Sequence, residues 1–145
     1  MRIKIKDPPV VVLDTNILIS YLLGSKTISL LIDSLDNNSF IPAISPSLEA
    51  EFYGVIKRPR IARSLDTDLA SAFMADWVNF AVYVTPVSRV TVCRDPGDNA
   101  VLECALTAGA DFIVTGDDDL LTLHSFHGIP IHTPAFFIRD VLKIG

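Results

Sequence analysis

The chain has 145 residues, half of them hydrophobic, which suits one domain with a sizeable core. Its 12 Lys+Arg against 17 Asp+Glu give a formal net charge of -5, which excludes attachment to nucleic acid through a global positive field and leaves only a local basic patch. Cys93 and Cys104 are the only cysteines and lack Cys-x-x-Cys spacing, so neither a disulfide-stapled secreted fold nor a cysteine zinc site is expected; both read as small buried side chains in a reducing cytosol.

Arg2, Lys4 and Lys6 precede an apolar run, Val10-Val-Val-Leu13, that Asp14 ends after four residues. That is too short for a signal-peptide core or a membrane span, so a cytoplasmic protein is expected. The run itself predicts a strand covered on both faces. Asp14-Thr15-Asn16 supplies cap-type residues for a helix over 17–23, which Gly24 ends. A second helix is expected over 26–37, where Ile28, Leu31, Ile32 and Leu35 recur at helical spacing. A strand follows over 40–44, with Pro42 pushing it towards a sheet edge or a distorted strand.

Ser45-Pro46 starts a helix that runs to about Lys57 and stops at Arg58-Pro59. Lys57, Arg58, Arg60 and Arg63 form the concentrated basic patch of the chain, suited to an RNA backbone or simply to a solvated face. A longer helix is expected over 66–80, with Phe73, Trp77 and Phe80 at spacings that indicate packing rather than base stacking. Short extended pieces follow over 82–84 and 89–93. A helix over 95–108 ends at Gly109, and Asp111 to Thr115 forms a buried-type strand. A short helix over 120–123, a strand over 129–132 and a helix over 134–142 close the chain. His124, His127 and His132 are too scattered to form a site. Strands alternating with helices predict a mostly parallel sheet covered on both sides, in a single domain spanning 1–145.

In such sheets chemistry gathers at the carboxyl ends of the strands. Asp14 and Asp117 follow two of the strands, so both should stand on one rim, where they repel unless a cation neutralises them. Glu51 lies within about 60° of Leu48 and Val55 on a helical wheel and faces the protein, whereas Glu49 faces water. Asp98 likewise shares a face with Val101, Leu102 and Ala105, while Glu103 reads as surface. An inward carboxylate should be paired or bound to metal. Asp119 is a further or water-mediated ligand; Thr15, Asn16 and Thr115 are expected to orient the carboxylates. Oxygen ligands suit Mg2+ or Mn2+. Each residue also has a plainer reading. Asp14 caps a helix, Asp98 completes a capping box behind Asp95, and Glu51 is an ordinary boundary residue.

Val11-Val-Leu-Asp-Thr-Asn-Ile-Leu-Ile-Ser20, Ser45 with Glu51, Asp95-Pro-Gly-Asp98-Asn, Gly109 to Leu121 and Ile131-His-Thr-Pro134 occur in an order that resembles the PIN-domain nucleases, in particular the toxin components of bacterial and archaeal toxin–antitoxin systems. The resemblance covers about residues 9–142. It implies a three-layer α/β/α sandwich and an acidic set of Asp14, Glu51, Asp98 and Asp117, with Asp119 nearby. It further implies a Mg2+- or Mn2+-dependent ribonuclease, often dimeric and silenced by a small antitoxin; hydrolysis by an in-line water should leave 5′-phosphate ends. Gly97 departs from the family pattern, in which an acidic residue is common there. The competing readings are a catalytically weak PIN-like module that binds RNA or protein, a DNA-directed nuclease, and a phosphatase or receiver-like site. The last lacks a partner lysine and has no role for Glu51.

Overall fold

Val11, Val12 and Leu13 point to alternate sides of their strand, yet all three are buried, so the sheet is covered on both faces. The computed structural model that shows this describes residues 7–144; Arg2, Lys4 and Lys6 lie outside the described residues. The first strand, β1 (Val10–Leu13), leads into α1 (Thr15–Leu22) and α2 (Lys26–Asp33), which tightens into a 3-10 turn over Ser34–Asn37. β2 (Ile41–Ile44) is followed by α3 (Pro46–Ile56), the short α4 (Pro59–Ala62) and α5 (Thr67–Phe80). After β3 (Val82–Tyr83) and a loop come α6 (Pro96–Ala108), β4 (Phe112–Val114) and α7 (Asp118–Leu121). A hairpin of β5 (Ser125–Phe126) and β6 (Ile129–His132) precedes α8 (Pro134–Phe136), which continues as a π-helical segment over Phe137–Leu142.

The strand order is β3-β2-β1-β4-β6-β5, parallel throughout except for the β5–β6 hairpin. The chain moves from β1 outward through β2 to β3, then crosses back to place β4 on the other side of β1. The order therefore reverses at the carboxyl ends of β1 and β4, where a crevice opens in folds of this kind. α6 packs across β1, β2 and β4, α3 lies on α6, and α5 lies on α3; α2 meets α8. The result is a three-layer α/β/α sandwich. Among the described residues no single helix is long and apolar enough to cross a membrane.

Helix ends follow the expected cap chemistry. Ser45 Oγ accepts from the Leu48 amide with Pro46 at the first helical position. Gly109 closes α6 in the left-handed conformation, φ 62°, which costs a residue without a Cβ least. The aromatic series on α5 runs from core to surface, since Trp77 is buried, Phe73 stacks on it and Phe80 is exposed. Phe137 is fully buried against Phe40 and Phe112, whereas Phe136 covers His132 at the surface.

Three expectations need correction. Pro42 does not put β2 at an edge; β2 lies between β3 and β1. The Ile41 amide faces β1, donating to Pro9 O at 2.8 Å, so the Pro42 nitrogen turns towards β3. Pairing on that side begins only at Ala43 opposite Val82, and no ladder bond is lost. Residues 89–93 form no strand either. Their backbone groups go to side chains of α6: Val90 N donates to Glu103 Oε2 at 2.7 Å, and Cys93 N and O both pair with the Asn99 amide group at 2.8 and 2.9 Å. Glu103 is thus a tether for this loop and not free surface. Beyond these three, α4 and β5 have no signal in the sequence, because four- and two-residue elements carry no usable periodicity.

Candidate metal centre

Strand register places the first two carboxylates. Leu13 pairs with Val114, so Asp14 and Thr115 emerge side by side from β1 and β4, and the Asp14 amide donates to Val114 O at 3.0 Å. Thr115 is fully buried and links the two acids: its hydroxyl donates to Asp14 Oδ2 at 2.8 Å and accepts from the Asp117 amide at 3.0 Å. Asp98 enters from the first turn of α6. One carboxylate oxygen from each of Asp14, Asp98 and Asp117 lies within 4.8 Å of the other two.

The plain and functional readings coexist at two of these residues. Asp14 Oδ1 caps α1 by accepting from the Asn16 amide at 3.3 Å, and Asp117 Oδ1 caps α7 by accepting from the Asp119 amide at 2.8 Å. Asp117 keeps its second oxygen, and Asp14 Oδ2, which takes the Thr115 hydroxyl, keeps a further lone pair. At α6 the capping is done by Asp95, which accepts from the Gly97 amide at 2.9 Å. Asp98 is therefore not needed as a cap. It is 5% exposed, and its Oδ2 is one of two buried side-chain oxygens without a hydrogen-bond partner among the described residues. The other is Thr15 Oγ1. A buried orphan carboxylate oxygen is costly and calls for a ligand.

Electrostatics agree with that demand. Burial, then the charges of Asp117, Asp95 and Asp14, push the Asp98 carboxyl up to about 7. Asp14 is also raised, mainly by burial, against the Thr115 and Asn16 hydrogen bonds that hold it down. Glu51 is raised by burial and by Asp14 and Asp95, with the nearby Thr15 side chain, not close enough for a formed hydrogen bond, and Arg58 opposing. A divalent cation among Asp14, Asp98 and Asp117 would offset their mutual repulsion, and hard oxygen donors suit Mg2+ or Mn2+.

The remaining candidates form a looser rim. Glu51, on α3, is half-buried beside the trio but outside its 4.8 Å circle. Asp119 turns outward, and its Oδ1 stands 3.7 Å from Arg94. Asn16 acts through its backbone amide, and its side chain is exposed. Lys57, Arg58, Arg60 and Arg63 are all exposed at the end of α3 and around α4, and of these Arg58 is felt at Glu51. A cleft of about 810 Å³ opens between α3, the 89–95 loop and α6, with Glu51, Asp95, Gly97 and Arg89 in its walls. Two contributors were missed in the sequence. Asp95 reads there only as a cap, yet its charge reaches Asp14, Glu51 and Asp98. Arg94 carries no periodic signal, although its position next to Asp95 was a usable hint.

Known proteins resemble this chain in sequence and in fold. The uncharacterized protein MJ1680 of Methanocaldococcus jannaschii is 28% identical over 153 residues, covering 98% of this chain and 95% of that protein. The fold is similar to VapBC2 from Rickettsia felis, solved bound to a DNA fragment from their promoter, with a TM-score of 0.57 at 13% identity over 86% of this chain and 98% of that one. It is equally similar to the PIN domain endonuclease Utp24, with a TM-score of 0.57 at 18% identity over 88% of this chain and 86% of that one. The sequence profile of the PIN domain matches residues 10–119, a span that holds Asp14, Glu51, Asp98, Asp117 and Asp119 together, and the chain belongs to the PIN domain family.

Proposed function

We propose that this protein is a divalent-metal-dependent ribonuclease that hydrolyses RNA phosphodiester bonds, and that it is the toxin of a toxin–antitoxin pair. The observation that carries the reading is the trio itself: three carboxylates from three separate elements within 4.8 Å, one with a buried orphan oxygen. Asp14, Asp98 and Asp117 would hold Mg2+ or Mn2+, Asp119 would join from the rim, and Thr115 and the Asn16 amide keep Asp14 aimed inward. A bound ion of this class neutralises charge on a phosphate and lowers the pKa of a water. Glu51, from α3, completes the shell or orients the attacking water. Attack in line on phosphorus breaks the bond to the 3′ oxygen, leaving a 3′-hydroxyl and a 5′-phosphate.

Lys57, Arg58, Arg60 and Arg63 would hold the RNA backbone beside an otherwise acidic cleft. The two similar structures, a VapBC assembly and an endonuclease, support the toxin and nuclease parts of the reading. Exposed Phe80, Val82 and Tyr83 at the β3 edge of the sheet support association as a dimer or with a small antitoxin. The cytoplasm is the compartment this reading requires.

The test uses purified protein and an Asp14→Asn variant, each given single-stranded RNA and DNA with Mn2+, Mg2+ or chelator. Cleavage of RNA that needs the ion and disappears in the variant is the expected result. RNA bound but left intact by both proteins would instead favour the catalytically weak binding module.

A further inference from the structure

Gly97 occupies the first turn of α6, next to Asp98, and its φ lies outside the left-handed region that favours glycine. Alanine would serve the helix better there, so the lack of a side chain needs another reason. A Cβ built on Gly97 would stand 2.8 Å from Glu51 Oε1, 3.2 Å from Glu51 Cδ and 3.3 Å from Asp95 Oδ1. The first distance is shorter than real Cβ contacts, and because Oε1 is the far end of a flexible side chain, it is the Glu51 carboxylate that a Cβ would push aside.

Glu51 stands on a boundary. One side faces Asp14 and the inner carboxylates; the other lines the open cleft between α3 and α6. A side chain with three rotatable bonds at such a boundary has solvent as the easier choice, because its carboxylate is repelled by Asp14 and Asp95. The bare backbone at Gly97 leaves the carboxylate room to stay where it stands, between Asp95 and the trio.

We propose that Gly97 is a positioning residue, whose missing side chain seats the Glu51 carboxylate as the fourth oxygen ligand facing the ion held by Asp14, Asp98 and Asp117. The proposal rests on the metal-centre reading and adds a determinant that carries no chemistry of its own.

The experiment measures Mn2+ affinity by calorimetric titration, and melting temperature in chelator, for the unsubstituted protein, Gly97→Ala, Glu51→Ala and the double variant. Gly97→Ala should melt at the same temperature or higher while binding Mn2+ about tenfold more weakly, the scale of loss when a ligand is misoriented. In the Glu51→Ala background the same change should have no further effect on affinity. Glu51→Asp, one methylene shorter, should recover part of the loss when combined with Gly97→Ala. Unchanged Mn2+ affinity in Gly97→Ala overturns the proposal while leaving the metal centre standing, as does a loss that persists without Glu51. Failure of the unsubstituted protein to bind Mn2+ overturns the metal-centre reading itself and this proposal with it.

Discussion

The inner trio and the outer rim of the site are built in different ways. Asp14 and Asp117 are set by parallel strand register and by one buried hydroxyl, Thr115, that touches both. Backbone ladders under two covered faces leave such groups little freedom. The rim depends on side chains. Glu51 and Asp119 sit at boundaries, and the 89–95 loop hangs from α6 by Glu103 and Asn99. Within one candidate site the backbone thus fixes two mutually repelling charges, while adaptable side chains surround them. Charges that must stay together against their own repulsion need a scaffold that cannot relax; groups that meet a substrate do not.

Breaking the trio should have the largest effect. Asp98→Asn keeps the shape and removes the charge, and it should lower Mn2+ affinity by about 100-fold or more, beyond the usual cost of a supporting residue. Its metal-free form should melt no lower than the parent, because a buried repulsive charge has gone. A calorimetric titration paired with a melting curve reads both. An Asp98→Asn protein that binds Mn2+ normally would remove Asp98 from the site.

Thr115→Val comes next. It keeps the volume but deletes the hydroxyl between Asp14 and Asp117, and affinity should fall about 10- to 100-fold. The same change leaves a buried carboxylate oxygen short of a donor, costing about 1–3 kcal/mol of metal-free stability in denaturant titration. Equal affinity would show that strand register alone suffices to aim the pair.

The pH dependence of the metal-free protein separates trio from rim more finely. The Asp98 carboxyl titrates near 3.8 when unfolded and at about 7 when folded. Between those values the folded state holds a proton that the unfolded state has lost, so its stabilising effect, full below pH 3.8, drains away as pH rises towards 7. Asp14 and Glu51 are raised as well and act with the same sign. Melting temperature in chelator should therefore decline across this window, and the increment from added Mn2+ should grow. Asp98→Asn should flatten the decline; an unaltered slope would place its source elsewhere.

The smallest effect is expected at the loop. Glu103→Ala frees the Val90 amide and should cost about 1 kcal/mol, with faster amide exchange confined to the 89–95 loop. Exchange that also quickens in β1 or β4 would show that rim and trio are one cooperative unit.

Much of this protein was determined by its sequence without tertiary information. Val10 to Leu13 could only be a strand covered on both faces, and Ser45-Pro46 and Asp95-Pro96 marked helix starts because local sterics and cap hydrogen bonds act within a few residues. Asp14, Asp98 and Asp117 were legible for the same reason, each tied to the end of an element whose pattern was clear. Tertiary structure alone decided the rest. Pro42 could lie in an interior strand because β3 starts late, and the extended-looking 89–93 piece became a loop because α6 offered it better partners than a strand did. Strand order put β4 beside β1 and so brought Asp14 to Thr115, 101 residues away, with Asp117 close behind it. Gly97 makes the same point at the scale of one atom: its meaning appears only when Glu51, from a different helix, lies against it. Contacts between distant segments depend on register and packing, which no local pattern encodes.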